Sequence, residues 1–421
     1  MDTIYAVSSG RPPAAIAVLR LSGADATAAA IALARTLPSP RTAAVRTLRA
    51  ADGTLLDRAL VLHFPAPHTA TGEDLVELHL HGGRAVVAAV EAELATIPRL
   101  RPAAPGEFTR RALANGRIDL IQAQGLADLL EAETEQQRRL AIDAAEGATS
   151  RLVCTWLDEL ARLGALIEAA IDFEDEDDVP PADMAALDQV QATLLAAFDA
   201  TLARAPVERY RDGIRIVLVG PPNAGKSSLF NALIGRDAAI VSPIAGTTRD
   251  RIEASVHRNG RAYLLTDTAG LRVYSDDPIE RLGIKRAAAA QAAADVVLDL
   301  SDEPTSSAIA VYAKYDIRPI APSGRLSTAT DDPQSIEALW AAIERRGDAV
   351  LGTSDGPSFH EAERQAIVTA RSALAMASDE PDLLLRAEAV RQATRALAGL
   401  LGVDATETML DALFSRFCVG K

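Results

Sequence analysis

The chain has 421 residues, of which 48% are hydrophobic and 24% charged, and a formal net charge of −15. That length leads to an expectation of two to four domains, and the composition excludes a chain that is disordered throughout. The acidic balance argues against wholesale wrapping of nucleic acid, and two distant cysteines, Cys154 and Cys418, offer neither a disulfide framework nor metal-ligand spacing.

The first residues, MDTIYAVSSG, lack a basic stretch followed by an apolar core, so no export signal is read. Apolar runs such as 214–219 are too short to span a bilayer, and the expected location is cytoplasmic, with no membrane partner. Residues 1–117 mix short apolar runs with turn signals. Strands are expected at Ile16–Leu21, Ala59–Phe64 and Leu75–Leu80 and a helix at Arg84–Ala95, which together make an α+β unit. Within it, Phe108–Arg117 carries three arginines and no acid, either a local basic patch or a solvated helix face. Residues 118–210 are Ala/Leu-rich with helical spacing, interrupted by the acidic linker Asp172–Pro181.

At Ile214 the texture changes to an apolar strand, a glycine loop and a helix, opening an α/β unit over 211–352. A loop, GTSDGPS, then leads into a second helical stretch within 353–421. Helices therefore flank the α/β unit on both sides, and it is read as inserted into an all-α domain. No internal repeat is found.

The strand IRIVLVG runs into GPPNAGKSS (Gly220–Ser228) and then LFNALIG. This is the G-x-x-x-x-G-K-[ST] pattern of a phosphate-binding loop, in the strand–loop–helix context that gives it meaning. Its glycines let backbone N–H groups curl around a β-phosphate at a helix N-terminus. Lys226 reaches the β- and γ-phosphates and Ser227 ligates Mg2+, with Asn223, Ala224, Gly225 and Ser228 completing the loop. Lysine occurs only at 226, 285, 314 and 421, so its survival at 226 in an arginine-rich chain points to a need for a compact ammonium.

Downstream, AGTTRD carries Ala245, Gly246, Thr247 and Thr248, with Thr248 as a second Mg2+ ligand. In LLTDTAG, Asp267 holds the metal's water shell, Thr268 and Ala269 follow, and the Gly270 N–H meets the γ-phosphate. The base-reading element is irregular. Where GTPases carry Asn-Lys-x-Asp, this chain reads Ala313-Lys314-Tyr315-Asp316, so guanine preference is expected to persist through Asp316 with weakened affinity. Ser327, Thr328 and Ala329 in LSTAT fit the last guanine-contacting turn. Only SDEPTSS separates the strand ADVVLDL from the strand before Ala313, although a parallel crossover normally needs a dozen or more residues, so part of a helix is expected to be missing. Leu271 stands where a water-orienting glutamine sits in Ras-like switches, which leaves Glu280 in SDDPIERLG as the candidate catalytic acid. Asn223 has a side-chain oxygen suited to holding a monovalent cation.

Taken with TGEDLVELHLHGG, PGEFTRRALANGRIDL, EAAIDFEDED, IERLGI and the terminal FCVGK, these motifs resemble the tRNA-modification GTPase family MnmE, also called TrmE, over essentially the whole chain. The resemblance implies an N-terminal tetrahydrofolate-binding and dimerisation domain (1–117) and a helical domain formed from 118–210 and 353–421. It also implies an inserted Ras-like G domain of the TrmE-Era type (211–352). It implies a homodimer whose G domains pair in a K+-dependent way, with Asn223, Ser242, Ile244 and Thr247 at the K+ ligand positions. Pro243 lies among these nucleotide-site residues, and Glu280 falls at the water-orienting acid.

The resemblance further implies a flavoprotein partner, MnmG, in a heterotetramer, and tRNA as substrate. An aminomethyl or carboxymethylaminomethyl group is placed on C5 of the wobble uridine, using 5-formyl- or 5,10-methylene-tetrahydrofolate. Family folate contacts map onto Arg20, Glu77, Arg117 and Lys421. As a CaaX-like signal the ending Cys418-Val419-Gly420-Lys421 is poor, since Gly420 is not aliphatic, and composition alone reads as a frayed tail. In the family the tail folds back to the folate pocket and places Cys418 beside the chemistry. Two further readings stand beside this one: an RNA- or ribosome-assembly GTPase switch, and a scaffold with an impaired G domain.

Overall fold

Period-two alternation builds the first sheet. In β1 (Thr3–Val7) and β2 (Ile16–Ser22), Tyr5, Ala17, Leu19 and Leu21 are sealed on one face, while Val18 and Arg20 are only half-buried on the other. The computed structural model describes residues 2–172, 184–235, 252–267, 290–317, 322–352, 356–378, 380–403 and 406–420. They fall into two compact units, one of residues 1–130, 144–150 and 398–421, the other of 131–143 and 151–397.

The first unit holds a sheet in the order β3-β4-β5-β2-β1-β6, with β3 at Ala44–Arg49, β4 at Leu55–Phe64, β5 at Leu75–His81 and β6 at Leu100–Pro102. All its pairings are antiparallel except β1 with β6. The strands expected at 16–21, 59–64 and 75–80 lie within β2, β4 and β5. The expected helix is α2 (Arg84–Leu94). With α1 (Ala26–Ala34) it covers the sealed face, where Ala30, Leu33, Val87 and Val90 meet Leu19, Leu21 and Leu78. On the opposite face α3 (Glu107–Ala114) inserts Phe108 beside Ile4, Ala6 and Ala103.

Phe108–Arg117 is not an open basic patch. Arg111 is 11% exposed and meets Asp2 at 2.9 Å and Glu73 and Glu107 at 3.1 Å, and Arg110 meets Asp411 at 3.0 Å. A buried guanidinium ringed by carboxylates is a fastener, because one bare charge there is costly. Next, α4 (Leu120–Glu131) joins the helix Glu407–Phe414 through Leu120, Ala123, Leu413, Phe414 and Phe417.

The second unit contains most of α5 (Glu135–Ala145) and of α6 (Ala148–Asp172), with α7 (Met184–Leu202) and α8 (Val207–Asp212). Its sheet follows: β7 (Ile214–Val219), β8 (Ile252–Arg258), β9 (Arg261–Asp267), β10 (Val296–Asp299), β11 (Ile309–Ala313) and β12 (Leu326–Thr328). Among the described strands the order is β12-β11-β10-β7-β9-β8, and all neighbours are parallel except the β8–β9 hairpin. Helices α9 (Lys226–Ile234) and α10 (Pro333–Leu351) pack on it through Leu229, Phe230, Leu339 and Trp340. Helices α11 (Glu361–Met376) and α12 (Leu383–Ala398) complete the unit. In the helical part the Trp156 ring stands edge-on to Phe198 at 5.1 Å and stacks on Phe359 at 5.8 Å.

The short connection foreseen between β10 and β11 is present, and residues 300–308 cross without a helix. Asp299, buried at the end of β10, replaces helical hydrogen bonding by accepting from the N–H groups of Ser301 (2.9 Å) and Thr305 (3.1 Å). Arg325 grips the same loop from outside, donating to the Ser301 and Asp302 carbonyls. Among the described residues, no helix is long and apolar enough to cross a membrane.

Candidate nucleotide site and the docked tail

Strand β7 ends at Val219, and the chain turns through Gly220–Gly225 into α9. Gly225 has φ +100°, a left-handed conformation that favours glycine at this turn. Lys226 is buried, and its Nζ donates to the Gly220 and Pro221 carbonyls at 3.0 and 2.8 Å. The parallel register Leu218↔Asp267 carries Asp267, at the end of β9, up to the same turn. There Ser227 Oγ donates to Asp267 Oδ2 at 2.7 Å. A pocket of about 360 Å3 opens over these groups, lined by Pro222, Asn223, Gly225, Lys226, Ser227, Ser228 and Lys314.

The arrangement suits an anionic ligand with a hard cation. The first N–H groups of α9 and the Lys226 ammonium supply positive potential. The Ser227 hydroxyl and the Asp267 carboxylate are hard oxygen donors of the kind that would hold Mg2+.

On the base side, β11 pairs with β12 so that Ala313 stands opposite Thr328, and the turn after Ala313 meets the same strand through the Tyr315 N–H. Asp316 is exposed. Lys314 does something the motif alone does not reveal: with φ +61° its Nζ donates to the Asn223 carbonyl at 2.9 Å and ties the base loop to the phosphate loop. Thr328 is buried with its hydroxyl unpaired, and its carbonyl accepts from the Tyr315 N–H at 3.3 Å. Sequence reasoning missed Asp299, Arg325 and Tyr315. Of these only Tyr315 sat inside a recognised motif, at the position the pattern leaves open.

Several candidate residues lie outside the described residues: Ser242, Pro243, Ile244, Ala245, Gly246, Thr247, Thr248, Thr268, Ala269, Gly270, Glu280 and Lys421.

In the first unit, the register Arg20↔Glu77 on the half-buried face lets Arg20 Nε and Nη2 donate to Glu77 Oε1 at 3.1 and 2.8 Å. The other oxygen of Glu77 lies 3.3 Å from His79 Nε2, and the Arg20 guanidinium sits 5.9 Å from the Phe108 ring centre. Arg117 is exposed in the turn after α3. The tail is docked, which corrects the frayed-end reading that composition alone gives. Phe417 is buried, Val419 bridges to Pro105, and Ser8 Oγ donates to the Gly420 carbonyl at 2.7 Å. Cys418 stands exposed between these anchors.

The family model described as the GTP-binding protein TrmE N-terminus matches residues 3–117, and that of the MnmE helical domain matches residues 120–418. The tRNA modification GTPase MnmE of Erythrobacter litoralis is 49% identical over the full length of both chains. The protein of the same name from Rhizorhabdus wittichii is 50% identical, covering all of this chain and 97% of its own. That of Novosphingobium aromaticivorans is 46% identical over the full length of both. With its phosphate loop in place and likeness of this extent from end to end, the chain belongs to the tRNA modification GTPase MnmE family.

Proposed function

We propose that this chain binds and hydrolyses GTP and couples that cycle to tRNA modification in the cytoplasm. The observation that carries the reading is the Lys226–Ser227–Asp267 cluster at the mouth of the phosphate loop, in a chain matched end to end by tRNA modification GTPases. Lys226 neutralises phosphate charge, Ser227 and Asp267 orient Mg2+, and Asp316 accepts from the guanine edge. Thr248 and the Gly270 N–H close over the γ-phosphate, and Glu280 orients the attacking water. Asn223, Ser242, Ile244 and Thr247 hold K+, which brings two G domains together.

The finer chemistry belongs to the same proposal. A homodimer, with the flavoprotein MnmG, adds an aminomethyl or carboxymethylaminomethyl group to C5 of the wobble uridine of certain tRNAs. Residues 1–117 take a reduced folate. Glu77 accepts from pterin N–H groups, and Arg20, Arg117 and Lys421 meet carboxylates. The fit is chemical: Arg20 and Glu77 already form a fixed acid–base pair on one half-buried face, and the docked tail presents the Cys418 thiol. Bound folate supplies the one-carbon unit. The helices on either side of 211–352 form one domain around an inserted G domain, a reading supported by a single helical family match over 120–418.

Two measurements test this. GTP turnover by the purified chain should be strongly stimulated by K+ relative to Na+. Wobble-uridine mass spectrometry of tRNA from cells lacking the chain should show the modification lost, and an unchanged profile overturns the assignment. Ala313 and the helix-free crossover favour a second reading, a scaffold whose G domain no longer cycles; complete absence of turnover in K+ supports it.

A further inference from the structure

Ala313 stands where an asparagine side chain would steady the base-reading loop. Its methyl group cannot accept or donate, yet the loop is held in two other ways. Tyr315 Oη donates to Asp332 Oδ2, and Asp332 is the N-cap of α10, its Oδ1 accepting from the Gln334 N–H at 3.0 Å. One turn on, Ser335 Oγ accepts from the Ala329 N–H at 3.1 Å and donates to the Asp332 carbonyl at 2.8 Å. The first turn of α10 therefore grips both base loops, the one carrying Asp316 through Tyr315 and the one ending at Ala329 through Ser335. A helix cap is a rigid anchor, because its side chain is already fixed by the N–H it accepts.

We infer that Tyr315 is a positioning residue for guanine recognition: its bond to Asp332 holds Asp316 in place and substitutes for the missing asparagine. The inference rests on the GTP-binding reading above. Asp316 accepts from both N1–H and the 2-amino group of guanine, whereas hypoxanthine offers only N1–H. A well-held carboxylate tells the two apart, and a swinging one does so poorly. The ratio of GDP to IDP affinity thus reports the placing of Asp316, while general damage to the domain weakens both nucleotides alike.

The test is isothermal titration calorimetry of the full chain with GDP and with IDP, in Mg2+, for the unaltered chain, Tyr315→Phe and Tyr315→Phe/Ala313→Asn. Loss of one hydrogen bond to a solvent-reached carboxylate predicts a GDP/IDP ratio roughly fivefold lower in Tyr315→Phe. The added asparagine should recover most of it. A ratio within twofold of the unaltered chain, or equal weakening of both nucleotides, overturns the inference while leaving GTP binding intact. If the unaltered chain binds neither nucleotide, the GTPase reading itself falls.

Discussion

Ser8 Oγ donates to the carbonyl oxygen of Gly420 at 2.7 Å, so the last described residue is fastened to the end of the first strand. Gly420 has φ +99°, and a Cβ built on it would lie 2.2 Å from the Val7 carbonyl oxygen. No small shift relieves a clash with backbone.

Gly420→Ala is therefore expected to undock the tail rather than unfold the unit. The strain of roughly 1–3 kcal/mol is comparable to what a few terminal contacts supply. Hydrogen exchange at Val419 and Gly420 should become fast, with the Tm changed by only a degree or two. Exchange as slow as in the unaltered chain would refute the docking argument.

Ser227→Ala removes the hydroxyl that meets Asp267. Affinity for GTP in Mg2+ should fall by about tenfold or more, while affinity in EDTA changes little, since loss of a metal contact acts only through the metal. An equal loss in both conditions would mean that Ser227 serves the phosphates and not the cation.

Glu208 in α8 faces His360 Nδ1 at 3.0 Å and accepts from the Glu361 N–H at 3.0 Å. Burial pushes its carboxyl up, but the His360 imidazole and nearby backbone N–H groups outweigh this and hold it at about 2, against 4.5 when unperturbed. The folded value is depressed, so the stabilisation is fully present above about pH 4.5 and is lost as pH falls towards 2. With the side chain 30% exposed, screening reduces its worth to roughly 1–2 kcal/mol. Urea midpoints of Glu208→Gln should lie below those of the unaltered chain at pH 7 and converge with them near the acid end. A constant gap across pH would exclude the titration as its cause.

Asp299→Ala takes away the acceptor that closes residues 300–308. Two N–H groups lose their partner, that of half-buried Ser301 and that of exposed Thr305, which costs about 1–2 kcal/mol. Guanidinium unfolding of the second unit should shift accordingly, with Asp299→Asn intermediate. No shift would show that Arg325 alone holds the crossover.

What the sequence discloses follows from how local each feature is. The phosphate loop, the half-buried strands at 16–21 and 75–80 and the shortened connection after β10 are written in spacing along the chain, and spacing survives folding. The brace at Asp299 and Arg325 was not legible, because one letter does not show which N–H groups a carboxylate will meet. Lys314 reads as a base-site residue, yet its ammonium lies on Asn223, a partner fixed only once β11 and β7 take their places in one sheet. Phe108–Arg117 looks basic in isolation. Its central charge is cancelled by Asp2 and Glu73, which β1 and the loop before β5 deliver from far away. Pair partners separated by so much chain depend on register, which composition does not record.

The joining of residues 398–421 to residues 1–130 in one unit has a consequence for synthesis on the ribosome. Residues 1–130 are made before the second unit, but the helix Glu407–Phe414 and the docked tail join them only after that unit has been translated. The second unit includes none of residues 398–421. A nascent chain halted after residue 397 would carry a phosphate loop ready to fold but present no Cys418 at all. The exposed thiol of Cys418 thus reaches residues 1–130 only after the phosphate loop has been made.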